Sequence, residues 1–155
     1  MPFEELVSKL QSKGVDVLLD AAHGAGIVPL DLKKIGAAYC TGNFHKWICT
    51  PKGSAFLHIR SDRKDRIRPL SIGHGATFEG SEQERFEFEF GWSGTQDPTP
   101  WLCIPKSIEF LASLVEGGWP SIMEKNKKLA IGLFGLLSPV LDLWMASAMD
   151  FVALL

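Results

Sequence analysis

A short apolar, β-branched run, Val15 to Leu19, ends at Asp20. Just ahead of it, residues 2–13 place Phe3, Leu6, Val7 and Leu10 at helical spacing, with Glu4, Glu5, Lys9 and Lys13 on other faces. Gly14 follows as a helix stop. A helix feeding such a strand predicts an α/β architecture in which Val15 to Leu19 is a buried strand of a parallel sheet. Ligands in open α/β sheets gather beyond the carboxyl ends of strands, and Asp20 stands at that position.

The chain continues in the same style. Ala21-Ala22-His23-Gly24-Ala25-Gly26 is small and turn-prone, so the backbone here can approach something closely. It is not GxGxxG, and a dinucleotide fingerprint is absent. Leu30 to Ile35 predicts one or two helical turns with Asp31 as N-cap. Ala37 to Thr41 reads as a second strand and Ser54 to Ile59 as a third, separated by the Asn43–Lys46 turn and a tight Pro51-Lys52-Gly53 loop. Ser61 to Gly80 reads as an irregular surface loop, and Phe86, Phe88 and Phe90, alternating with Glu87 and Glu89, as an extended segment. Pro98 or Pro100 opens a helix carrying Trp101, Ile104, Ile108, Leu111, Ala112 and Val115 on one stripe. Gly117-Gly118 ends it, and a further helix runs from near Trp119 to about Leu137.

Charge and cysteine usage narrow the function classes. The 155 residues carry a net charge of −2, which gives no electrostatic footprint for nucleic acid or an anionic membrane. The local basic cluster Arg60, Arg63, Lys64, Arg66, Arg68 is interrupted by Asp62 and Asp65 and reads as a solvated loop, a phosphate-binding patch being the alternative. Three cysteines, Cys40, Cys49 and Cys103, form no CxxC pair and suggest a reducing compartment. The four histidines lack metal-ligand spacing, so a zinc hydrolase has little support and no metal is expected. With neither a signal peptide nor a membrane span visible in the sequence, the expected location is cytoplasmic.

One stretch holds residue types suited to covalent work. Lys46 sits between His45 and Trp47, after the small-polar turn Thr41-Gly42-Asn43. A lysine amine is a nucleophile once desolvated. On residue types alone the structural reading of Lys46 and Asp20 is favoured, one a surface lysine and the other a turn cap.

The ordered set Asp20-Ala21-Ala22-His23-Gly24-Ala25-Gly26, Gly36 to Trp47 and Pro51 to Leu57, followed by Trp92-Ser93-Gly94-Thr95-Gln96-Asp97-Pro98, resembles the class V aminotransferase-like enzymes that use pyridoxal 5'-phosphate (PLP). Within them it is similar to the isopenicillin N epimerase-like branch and to some cysteine desulfhydrases, from about Val15 to about Lys128. The resemblance implies fold type I, with a mostly parallel sheet flanked by helices. It implies that Lys46 holds the cofactor aldehyde as a Schiff base and removes the α-proton of an amino-acid substrate. Asp20 then faces the pyridine nitrogen, His23 lies beside the ring's phenolic oxygen, and Asn43 and His45 lie near the phosphate. Thr95 matches a threonine that reaches the phosphate of a neighbouring subunit's cofactor, which implies a homodimer with shared sites. Trp47 and Trp92 read as packing, and neither Cys40 nor Cys49 is assigned as a desulfurase-type nucleophile.

Enzymes of this family are considerably longer. The resemblance therefore implies that residues 1–138 form the C-terminal half of the large PLP-binding domain, with residues 139–155 an apolar tail that departs from the family. The expected function is epimerase-like or lyase/desulfhydrase-like chemistry on an amino acid. Weak cofactor affinity and poor turnover follow from the missing halves, and the alternative is a catalytically incomplete interaction protein that keeps the fold without cofactor.

Overall fold

The structure, a computed structural model, describes residues 2–141, with side chains described as far as residue 137. The chain opens with helix α1, Phe3–Gln11, whose first turn carries Glu4 and Glu5 where acidic side chains suit the helix dipole. Its end matches the sequence expectation. Val15 N–H donates to Leu10 O at 3.1 Å and Gly14 N–H to Gln11 O at 3.0 Å, with Gly14 at φ 76°. This is a Schellman closure, in which the glycine takes the left-handed residue without steric cost.

Strand β1, Leu18–Asp20, pairs parallel with β2, Tyr39–Asn43, and β2 pairs antiparallel with β3, Ala55–Ile59. The α/β class holds; the sheet is small and mixed, because the tight loop after β2 returns the chain beside it. Between β1 and β2 lies the short helix α2, Leu32–Ile35, capped as expected by Asp31, whose side chain accepts from Lys34 N–H. The core is the packing of α1 and α2 on one face of the sheet. Val7, Ile35 and Ala37 are buried, with Phe3, Val17, Leu19, Leu30 and Leu32 around them. Alternation along β1 sends Leu19 into this core and leaves Leu18 and Asp20 exposed. The expectation of a buried strand is corrected on that point: β1 is an edge strand among the described residues, with one face covered.

The basic cluster is not a free solvated loop. Arg60 Nη1 donates to Gln11 Oε1 and to Gly36 O, both at 2.8 Å, tying β3 to α1 and α2. Arg63 grips Asp16 with two hydrogen bonds, 2.8 and 3.0 Å, and Arg68 pairs with the buried Glu89 at 2.6 Å. These arginines lie in or beside two 3-10 helices, Ser61–Arg66 and His74–Thr77, where an irregular loop was expected.

The extended segment expected around Phe86 is instead helix α3, Glu82–Gly91. Ser81 and Glu84 form a full capping box, a local signal that outweighs five residues of alternation. Phe86 and Phe90, one turn apart, have ring centroids 4.7 Å apart, and Phe88 stacks on Phe78 at 4.4 Å. The proline-opened helix appears as α4, Thr99–Leu102, then α5, Ile104–Ser113, and the last described element is α6, Gly118–Leu141. Residues 142–155, most of the expected apolar tail, lie outside the described residues.

Candidate functional site

The site grows from one topological fact. Parallel neighbours β1 and β2 end at the same edge of the sheet, with Asp20 in register with Thr41. Ala21 N–H extends the ladder to Thr41 O at 2.8 Å. The turn after β1 and the turn after β2 therefore leave the sheet side by side. The first carries Asp20 and His23; the second carries Asn43, His45 and Lys46.

Asp20 Oδ1 accepts from Ala22 N–H at 2.9 Å, which orients the carboxylate at the strand end. It makes no ion pair with any described residue. Its structural and ligand-binding readings are compatible, since one oxygen serves the turn and the other is left for a partner.

The second turn is held firmly. Ser54 O accepts from Phe44 N–H at 3.1 Å and from His45 Nδ1 at 2.9 Å, and Cys49 N–H donates to Lys46 O at 3.1 Å. The buried hydroxyls of Thr50 and Ser54 are hydrogen-bonded to each other, and Ser107 of α5 donates its hydroxyl to Ile48 O. A carbonyl only accepts, so His45 Nδ1 carries hydrogen and its Nε2 is the nitrogen left for a ligand. Asn43 closes β2, and its side chain has no hydrogen bond among the described residues.

Two glycines allow the turns to meet. A Cβ at Gly42 would lie 2.5 Å from the Phe56 ring and 2.9 Å from Ala21 O, so no larger residue fits there without movement. Gly26, at φ 90°, lies against the backbone of the other turn: a Cβ would come within 3.1 Å of Trp47 Cβ and 3.2 Å of Trp47 C. This is the close approach that the small-residue run Ala21 to Gly26 led us to expect.

Where the turns meet, three side chains form a chain of contacts. Lys46 Nζ lies 3.1 Å from His23 Nε2, and Trp47 Nε1–H donates to His23 Nδ1 at 3.2 Å. Sequence reasoning assigned Trp47 to packing; the structure leaves it 39% exposed with its indole N–H engaged at the site. Its position directly after Lys46 was the available signal, but only the adjacency of the two turns gives the indole an acceptor.

Thr95 is not brought to this cluster. It is exposed, in the loop between α3 and α4, and makes no hydrogen bond with any described residue. Further on, Pro100 of α4 lies near the loop before β3, its ring 3.8 Å from where a Cβ at Gly53 would be. Cys40 is buried in β2, where desolvation, and then the charge of Asp20, push its thiol above the usual range and hold it protonated. Cys49 is exposed, in a left-handed conformation at φ 57°.

Comparison with known proteins bears on the family. Residues 1–145 match the family model described as Aminotransferase class-V. The chain is 38% identical over 139 residues to a putative L-cysteine desulfhydrase 1 of Oryza sativa subsp. japonica, covering 89% of this chain and 28% of the relative. It is 32% identical over 127 residues to the isopenicillin N epimerase of Streptomyces clavuligerus, covering 76% and 32%. Among solved structures it resembles the apo cysteine desulfurase of Thermococcus onnurineus NA1, with a TM-score of 0.70, 25% identity, and 88% and 34% coverage. The chain thus spans about a third or less of the length of these relatives. An α/β fold, and a family match over nearly the whole length, lead to one conclusion: the chain belongs to the class V aminotransferase family of PLP-dependent enzymes.

Proposed function

We propose that this chain supplies the lysine-bearing and aspartate-bearing part of a PLP-dependent enzyme that acts on an amino acid. The observation that carries the reading is the placement of Asp20 at the end of β1 and Lys46 in the turn after its parallel neighbour β2, with Lys46 Nζ held 3.1 Å from His23 Nε2. The donor set suits the cofactor: a carboxylate for a ring nitrogen, an amine for an aldehyde, and His45 and Asn43 with unused polar atoms for a phosphate.

PLP, when bound, supplies an aldehyde for attachment and a ring that takes up negative charge from the substrate's α-carbon. Asp20 would face the ring nitrogen, where its charge would favour the protonated form. Lys46 would hold the cofactor through Nζ, and the same nitrogen would serve as base for the α-proton. His23, within hydrogen-bond reach of Nζ, would hold the amine in line beside the ring's oxygen. His45 would present Nε2 to the phosphate, because Nδ1 already serves Ser54 O. Thr95, exposed and without a hydrogen bond among the described residues, would reach toward the phosphate held by a second subunit of a homodimer. Residues 1–138 are then the C-terminal half of the large domain. Epimerase-like or desulfhydrase-like chemistry is preferred over transamination because the curated relatives carry those names.

The test is spectroscopic. PLP added in excess to the protein is expected to give a visible absorbance band of lysine-bound cofactor that is lost in Lys46→Ala. A folded wild-type protein with no such band would defeat the proposal and favour a chain that keeps the fold as an interaction module.

A further inference from the structure

We propose that Trp47 is a positioning residue that selects the tautomer of His23 and thereby the form of Lys46 with which His23 pairs. The inference deepens the reading of Lys46 as the cofactor-bearing amine and rests on it.

An indole N–H only donates. At 3.2 Å from His23 Nδ1, Trp47 Nε1–H requires that Nδ1 be the accepting nitrogen, so the hydrogen of the neutral ring sits on Nε2. That Nε2–H faces Lys46 Nζ at 3.1 Å, where it is a hydrogen bond only to the lone pair of a free amine. An ammonium at Lys46 would instead need a bare Nε2, hence a hydrogen on Nδ1, opposed to the indole N–H. The lone pair that receives the His23 hydrogen bond is the one that attacks an aldehyde. Trp47 therefore holds the imidazole in the tautomer matched to the nucleophilic amine, and keeps the ring plane fixed while Lys46 departs and returns.

A hydrogen bond between two exposed side chains is weak unless something else keeps the partners in place. Here the main chain does so. Gly26 at φ 90° lets the turn bearing His23 lie directly on Trp47, so closely that a Cβ would sit 3.1 Å from Trp47 Cβ and 3.2 Å from Trp47 C. Ile48, next in the chain, is buried and its carbonyl accepts from Ser107 of α5. The indole and the imidazole are thus presented to each other by two anchored turns.

The experiment is histidine and tryptophan ¹⁵N NMR on the full chain without PLP, at alkaline pH, with His23 assigned through His23→Gln. Wild type is expected to show His23 as a single Nε2–H tautomer and a coupling across the hydrogen bond between Trp47 Nε1 and His23 Nδ1. Trp47→Phe, which keeps an aromatic ring but no donor, is expected to lose the single tautomer and give a mixture. A wild-type His23 protonated on Nδ1, or a Trp47→Phe spectrum with the single Nε2–H tautomer intact, overturns the proposal. Should Trp47→Phe fail to fold, the wild-type coupling decides alone, and its absence overturns the assignment. Because no cofactor is present, failure of the chain to hold PLP leaves this result standing. PLP binding with an Nδ1–H His23 overturns Trp47's role and spares that of Lys46.

Discussion

Residues 3–60 and residues 82–137 are built on different terms. In the first stretch Val7, Ala21, Ile35, Ala37, Ala38, Cys40, Ile48 and Ile59 are buried, and so are the hydroxyl residues Thr50 and Ser54. In the second, α5 contributes no buried residue, and Leu102, Phe110, Leu114, Leu129, Leu133 and Leu136 stand exposed. Its one buried side chain among the described residues is a charged one, Glu89, paired with Arg68. The lysine cluster lies in the first stretch, where two turns are pinned from both sides; Thr95 lies in the second and touches none of it. A catalytic group needs its neighbours held within fractions of an ångström. The contrast teaches that, among the described residues, the lysine-bearing loop is pinned by residues distant in sequence, while the Thr95 loop is held by short-range hydrogen bonds such as Thr99 N–H to Asp97 Oδ1 at 2.9 Å.

The largest expected effect tests the chemistry of the supported loop. Asp20→Asn, with PLP added, is expected to slow α-hydrogen exchange of an amino acid into D₂O by about 100-fold, or about 2.7 kcal/mol of barrier, as for loss of one preorganised electrostatic partner. A change under about threefold, read by proton NMR, would remove Asp20 from the mechanism. Next, Gly42→Ala puts a methyl into the Phe56 ring and against Ala21 O. It is expected to cost about 2 to 3 kcal/mol by urea unfolding, the upper part of the range for an overpacked core. A neutral Gly42→Ala would show that the two turns are not tightly joined.

The third prediction concerns the tie between the first stretch and the 3-10 helix Ser61–Arg66 that follows it. Arg63, with two hydrogen bonds to Asp16, holds that carboxyl below its ordinary value of 3.8, and Arg66 and Arg60 add weaker pulls. A carboxyl whose folded value is lowered stabilises the fold above the ordinary value and loses that contribution as pH falls through the folded one. Stability of wild type is therefore expected to fall more steeply than that of Asp16→Asn below about pH 4, followed by thermal melts. Parallel slopes would mean that the pair contributes nothing. The smallest effects are expected in the open stretch. Leu129→Ala, at a residue 73% exposed, should shift stability by less than about 0.5 kcal/mol, and Thr95→Ala likewise. If Thr95→Ala nevertheless weakens PLP binding at concentrations where the protein is dimeric, and not where it is monomeric, the second loop works through a partner subunit.

Much of this was legible before any coordinates. The chain's local chemistry announced α1 with its Gly14 stop, α2 with its Asp31 cap, the β2 and β3 strands, and the small-residue turn after Asp20. The ordered motifs around Lys46 pointed to the family that the comparison of residues 1–145 supports. These features were readable because each depends on residues close in sequence: caps, glycine stops and strand runs act within a few positions. The Phe86–Phe90 segment misled for the same reason, since alternation over five residues competes with a capping box that begins at Ser81.

What the tertiary structure decided are the relations between distant residues. Pairing of β1 with β2 puts Asp20 beside the lysine turn, and the left-handed Gly26 lays one turn on the other. That contact turns Trp47 from a packing residue into a donor to His23, a residue 24 positions away. It also shows the arginines of residues 60–68 to be tethers to Gln11, Asp16 and Glu89 rather than a free basic patch. Sequence determined which groups the chain owns and the local turns that present them. Only the folding of the sheet decided which meet, because hydrogen bonds and charge pairs act over a few ångströms and the chain between the partners carries no record of that distance.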